Sequence, residues 1–168
     1  VGIEPSAILG FRDEYPDLAG AALKEKALKI AGNSYLIDEF IDRQYREGRI
    51  KRDSFTSESL EILLHAHCQQ KAVSSSSPSI NILSIPEKFS VKEIPSGCCG
   101  MAGSFGYEKE HYDLSQKIGE LVLFPEIRNS SSNVVIAAPG TSCRHHIKDG
   151  TGRRAKHPVE ILYEALIR

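Results

Sequence analysis

The chain of 168 residues has no apolar run approaching the roughly 20 residues that a bilayer-crossing helix needs, and no signal-peptide pattern at its start. Charge of one sign is lacking as well: 21 Lys and Arg against 22 Asp and Glu leave a net charge of −1. Nothing electrostatic therefore favours nucleic acid or an anionic membrane surface as a partner. The glycine-rich run at 96–106 contains neither GK[ST] nor a true GxGxxG, so phosphate-loop and dinucleotide-binding fingerprints are excluded. Cysteine is scarce, with four in the chain, and none forms the CxxC knuckle of zinc fingers and ribbons. The remainder is ordinary: 40% apolar and 26% charged residues fit one soluble domain large enough for a core.

Half of the thiols sit side by side. Cys98 and Cys99 lie within SGCCGMAGSFG (96–106), with Gly97, Gly100, Gly103 and Gly106 around them. A trans dipeptide spaces its Cα atoms about 3.8 Å apart, too close for ordinary disulfide geometry. Two thiolates on one loop instead suit a soft metal such as iron or zinc. The glycines allow positive φ or a close backbone approach. With no secretory signal, metal or redox chemistry is favoured over a disulfide framework. Between Cys68 and Cys98 lie 29 residues, and between Cys99 and Cys143 lie 43, spacings that match neither zinc fingers nor ferredoxins. Spacing alone thus leaves open a metal site, four buried inert cysteines, or a nucleophilic Cys143 with His67 or His145 as base. Cysteines in a glycine loop are poorly placed to act as buried hydrophobes, and a Cys143 nucleophile leaves Cys98 and Cys99 unexplained.

The apolar pattern predicts an α/β fold: a parallel sheet flanked by helices in Rossmann-like layers. Residues 1–5 read as the tail of a short buried strand ended by Pro5. Helices are predicted over 19–31, over 35–46, in a short stretch at 79–85, over 108–124 with Pro125 as its end, and over 158–167. Strands are predicted at 60–65, 91–94 and 133–138. The charged stretch 46–53 and the serines 74–77 read as connections. Each predicted strand runs into a cysteine-bearing loop: Cys68 follows the first, Cys98 and Cys99 the second, Cys143 the third. Ligands in parallel sheets gather at the carboxyl ends of strands, so the four thiols are expected to converge there.

The segments HAHCQQKA (65–72), SGCCGMAGSFGYE (96–108), PGTSCRHHI (139–147) and GTGRRAKHP (150–158) resemble the cysteine-rich CCG domain of FAD-linked oxidoreductases. That domain accompanies D-lactate dehydrogenase, the iron–sulfur subunit of glycolate oxidase, heterodisulfide reductase and anaerobic glycerol-3-phosphate dehydrogenase. The lead-in GIEPSAILGFRDEYPDL (2–18) extends the resemblance over most of the chain. The family pattern is a cysteine, a CC-Gly pair and a terminal CxxC. Cys68, Cys98, Cys99 and Cys143 match its first four positions, His146 stands where the last cysteine belongs, and Ala7 stands where relatives often carry another.

The resemblance implies that Cys68, Cys98, Cys99 and Cys143 are metal ligands. His146 is the candidate fifth, since imidazole can replace a thiolate on iron or zinc. Gly97, Gly100 and Gly103 are assigned to cofactor binding through their backbone. His67 is a lesser candidate, as ligand or as outer-shell donor, and His145 and His65 rank below His146. His157 is expected in a helix cap, and His111 needs no special role. The expected cofactor is an iron–sulfur cluster, with zinc or an empty site as the outcome in isolation and FAD on a separate domain. The implied function is an electron-transfer module of a 2-hydroxy-acid dehydrogenase. Its partners are then a flavin-binding domain of the same or another chain and an acceptor such as a quinone. A structural zinc domain and a metal-free reactive-thiol domain are the alternatives. Residues 1–168 are expected to form one CCG-type domain. The opening at Val1, without methionine, fits a carboxyl-terminal piece of a larger flavoprotein, inactive by itself. A cytoplasmic location is expected, with any membrane association made through partners.

Overall fold

The apolar runs at 60–65 and 133–138 lie side by side at the centre of a four-stranded parallel sheet. A computed structural model describes residues 1–167. Its strands are β1 (Leu60–Leu64), β2 (Phe89–Glu93), β3 (Val135–Ala137) and β4 (Ala155–Lys156), in the order β2-β1-β3-β4. Register pairs Leu64 with Glu93 on one side and with Ala137 on the other, and Ala137 in turn with Lys156. The helices are α1 (Pro5–Ile8), α2 (Glu14–Leu18), α3 (Gly20–Ala31), α4 (Ile37–Arg46), α5 (Cys68–Val73), α6 (Ser77–Leu83), α7 (Tyr112–Leu121), α8 (Leu123–Asn129), α9 (Thr141–Thr151) and α10 (Pro158–Glu164). The α/β sheet expected from the sequence is the one observed.

Alternation along the two central strands divides the core into two layers. Ile62, Leu64 and Ala137 face α6 and α10, packing with Ile82, Leu83, Ile161 and Leu162. Leu63, Ile136 and Ala138 face the other way, toward Phe124, Ile127 and Ile147 of α8 and α9. Cys99, Met101 and Cys143 belong to this second layer. Cys99 and Cys143 are thereby placed under the carboxyl edge of the sheet rather than on the surface.

Several expectations need correction. Pro5 starts α1 rather than ending a strand: proline has no N–H to satisfy and suits a first helical turn. Gly2 makes one isolated bridge, to Leu36, and Val1 and Ile3 are exposed. The helix predicted over 108–124 is two helices, broken at Val122 (φ −145°, ψ −49°). Pro125 lies in the first turn of α8, where the N–H it lacks would have no intrahelical partner. The break turns the fully buried Phe124 ring inward, where it fills the room left by Gly119 and Gly150; a Cβ on either glycine would come within 2.4 Å of the ring. In α3 the helix is as expected but its apolar spacing does not mark a core face. Ala27 is buried, whereas Leu23, Leu28 and Ile30 are exposed. Strand β4 has two residues and escaped the pattern reading.

Candidate metal centre

The carboxyl ends of β1, β2 and β3 bring the four cysteines together. β1 runs on through His65, Ala66 and His67 to Cys68, the first residue of α5. β2 leads through Ile94 and Ser96 into the Cys98–Cys99 loop. After β3, Pro139 and Gly140 turn the chain into α9, with Cys143 in its first turn. The thiols influence one another electrostatically in series, Cys68 with Cys98, Cys98 with Cys99, and Cys99 with Cys143. All four are free thiols; Cys99 and Cys143 are buried, and Cys68 and Cys98 are partly so. The ligand atoms of His65, Cys99 and Cys143 all lie within 4.8 Å of one another. This is the convergence expected from the strand-end pattern.

The thiols titrate as a set, with alternate members pushed in opposite directions. Hydrogen bonds from Cys68 and Cys99 hold the Cys98 thiol far below the ordinary cysteine range, helped by the N–H groups of Gly100 and Ala102 and opposed by burial. A hydrogen bond from Cys99 lowers Cys143 to about 5, against burial and with the His65 imidazole adding to the effect. Cys68 and Cys99, as the donors to these thiolates, are pushed up. These directions favour thiolates at Cys98 and Cys143 and thiols at Cys68 and Cys99, and a metal ion binding here would displace the remaining protons. Cys143 is a thiolate near neutral pH, but at 1% exposure it is closed to an external electrophile.

The glycine loop is shaped around Cys98. The Gly100 N–H donates to the Cys98 sulfur at 3.3 Å. The backbone N–H groups of Ala102, Met101 and Gln69 favour the thiolate forms of Cys98, Cys99 and Cys68 respectively, against larger opposing effects at Cys99 and Cys68. Gly100 has φ +109°, and a Cβ there would lie 2.4 Å from the Ser115 carbonyl oxygen, so the loop packs directly on α7. Gly97 and Gly103 have no atom within 4 Å of a built Cβ. Lys71, on α5, donates to the carbonyls of Ser96 (2.5 Å) and Gly97 (3.2 Å), anchoring the start of the loop.

The histidines take distinct places. His146 is buried but lies outside the group formed by His65, Cys99 and Cys143. Its Nε2 faces the Gln116 amide nitrogen at 3.1 Å and the Ser115 hydroxyl at 3.4 Å, and its ring stands edge-on to Phe124. Burial lowers its pKa. His67 caps α5, its Nδ1 accepting from the Gln69 N–H, and packs on Gly140. His145 is bonded to the Tyr107 hydroxyl at 2.8 Å, at an exposed position. His157 caps α10, accepting from the Val159 N–H, as expected. His65, ranked low from sequence, is fully buried at the heart of the cluster. The signal for it was positional: it is the first residue past the apolar strand β1, at the edge where ligands collect.

His65, Cys99 and Cys143 form a donor set suited to iron or zinc, with Cys98 and Cys68 neighbouring it but outside the group whose ligand atoms lie within 4.8 Å. The buried His65 Nε2 has no hydrogen-bond partner of its own, which also fits a metal as its missing partner. Among known proteins the chain is similar to dehydrogenases. It is 29% identical over 168 residues to D-2-hydroxyglutarate dehydrogenase of Pantoea ananatis, covering 99% of this chain and 15% of that protein. The corresponding enzyme of Haemophilus influenzae is 28% identical over 172 residues, at 99% of this chain and 16% of its own. One component of the anaerobic glycerol-3-phosphate dehydrogenase of Escherichia coli K12 is 27% identical over 166 residues, at 99% of this chain and 40% of that component. The chain therefore spans less than half of each of these relatives. No family model and no solved structure matches it significantly. Homology along nearly its whole length to a stretch of two kinds of dehydrogenase bears out the resemblance to the cysteine-rich CCG domain of FAD-linked oxidoreductases.

Proposed function

We propose that residues 1–168 form the iron–sulfur electron-transfer module of a larger FAD-linked 2-hydroxy-acid dehydrogenase. The carrying observation is the buried group of His65, Cys99 and Cys143, with Cys98 and Cys68 next to it. Five soft donors exceed the four that a tetrahedral zinc site uses, and suit a centre with more than one metal ion. In this reading Cys68, Cys98, Cys99 and Cys143 are the thiolate ligands. The chain's own contribution is to favour the thiolate form at Cys98 and Cys143, with the Gly100 N–H aimed at the Cys98 sulfur. Such hydrogen bonds favour the more negative, reduced state and raise the potential. A cluster held here supplies a one-electron relay between a flavin, which takes the hydride from substrate on a separate domain, and an acceptor such as a quinone. The chain alone then has no dehydrogenase activity. No helix among the described residues is long and apolar enough to cross a membrane, so contact with a membrane-borne quinone would be made through partners.

One observation favours a second reading. His65, Cys99 and Cys143 with neighbouring Cys98 make a four-donor set that a single structural zinc could use. Iron, acid-labile sulfide and zinc assayed on one anaerobic sample, with its visible spectrum, separate the two. The proposal expects a brown protein with iron and sulfide in comparable amounts after reconstitution, and loss of both in Cys99→Ser. A colourless protein that keeps zinc through reconstitution refutes it.

A further inference from the structure

We infer that His65, and not His146, is the imidazole ligand of the centre; this rests on the reading that the thiols hold a metal. A histidine ligand needs one nitrogen free to bind, aimed at the other donors, while its second nitrogen is held by an outer partner. His65 meets each condition. Its Nδ1 is 2.8 Å from the Ser96 hydroxyl, leaving Nε2 as the binding atom. That Nε2 is buried without a hydrogen-bond partner and belongs to the trio with the Cys99 and Cys143 sulfurs. Ligand atoms within 4.8 Å of one another need to close by about 1 Å to reach the spacing implied by metal bonds of about 2.0–2.3 Å.

The ring is also fixed from several sides. The His65 backbone N–H donates to the Ala137 carbonyl at 2.8 Å, tying it to β3. Ser96, which holds Nδ1, is itself anchored through its carbonyl by Lys71. A buried polar side chain kept in one orientation, with its outward nitrogen satisfied and its inward nitrogen not, is arranged for a partner at the inward atom.

His146 also keeps one buried nitrogen, Nδ1, without a partner, but it lies outside the group that His65 forms with the Cys99 and Cys143 sulfurs. Two side chains, Gln116 and Ser115, converge on its Nε2. Its Cε1 edge lies against Gly100, 3.1 Å from where a Cβ would be, and Phe124 closes its side. It fills the space between the glycine loop, α7 and α8. In this chain the position that departs from the CxxC pattern is a packing residue, and the imidazole arm comes from the end of β1.

The test is a titration of the full chain, reduced and metal-free, with Co²⁺ alone, read by the ligand-field and thiolate-to-cobalt bands. Wild type should bind with an intense tetrahedral spectrum, and His146→Gln should bind within about threefold of it. His65→Gln should bind more than tenfold more weakly, and Ser96→Ala about 10–100-fold more weakly as an outer-shell change. His65→Cys should restore binding and strengthen the charge-transfer band. If His65→Gln does not fold, judged by circular dichroism, the Ser96→Ala and His65→Cys results decide. Co²⁺ binding unchanged in His65→Gln, or in Ser96→Ala where His65→Gln does not fold, overturns the inference but leaves the metal centre standing. A wild-type chain that takes up no Co²⁺ overturns the metal reading and this inference with it.

Discussion

Replacing Gly100 by alanine should be among the most damaging single-methyl additions in the chain. The residue has φ +109°, a region essentially reserved for glycine, and an added Cβ would meet the Ser115 carbonyl oxygen at 2.4 Å. The obstacle is backbone, so α7 or the cysteine loop must move. Strained φ costs about 1–3 kcal/mol, and overpacking adds about 1–3 kcal/mol. Two neighbouring glycines serve as controls. Gly103 shares positive φ, at +73°, but has open space around it, so Gly103→Ala carries only the backbone cost of about 1–2 kcal/mol. Gly97 has neither constraint, so Gly97→Ala should fall within about 0.5 kcal/mol of wild type. Urea unfolding of the reduced, metal-free chain, followed by circular dichroism, measures all three. At a slope near 2 kcal/mol/M, Gly100→Ala should lower the midpoint by about 1–3 M. A midpoint within about 0.3 M of Gly97→Ala would refute the argument that Gly100 is fixed by its contact with α7.

Two further outcomes follow from buried polar contacts. Burial pushes the Asp38 carboxyl up to about 6 from an ordinary 3.8, with the Ser79 hydroxyl opposing the shift and Glu39 adding to it. Because the folded state holds this proton more tightly, Asp38 weakens the fold as pH rises from about 4 to 6, by about 3 kcal/mol in all. Asp38→Asn should lack that slope, so the stability difference between variant and wild type should change by about 3 kcal/mol across this range; parallel stability profiles would contradict it. Lys71→Met keeps the aliphatic stem but loses the two carbonyl contacts at Ser96 and Gly97. It should cost about 1–3 kcal/mol and speed amide exchange in the Cys98–Cys99 loop, whereas unchanged exchange there would show the loop holds its shape without Lys71.

The sequence was most legible where one local signal governed the outcome. Continuous apolar runs marked β1 and β3 because both faces of a central parallel strand are covered. The convergence of thiols followed from strands ending in cysteine loops. The break between α7 and α8 was hidden because Leu121 and Val122 continue a helical apolar pattern, and what overrides it is the distant fit of Phe124 against Gly119 and Gly150. β4 was too short for any period to show. In α3, leucine spacing looked like a core face, yet only tertiary placement determines whether such a face is covered. The histidines were the hardest. Family resemblance pointed to His146, whereas we infer His65 from its place beside the Cys99 and Cys143 sulfurs and from Ser96, a residue with no distinguishing signal of its own.

The most direct measurement is an anaerobic redox titration of the iron- and sulfide-reconstituted full chain, followed by EPR. The account predicts a reversible one-electron change in a centre that is lost in Cys99→Ser. A chain that binds iron and sulfide yet shows no reversible change, or that binds neither, would contradict the assignment of electron transfer to these four cysteines.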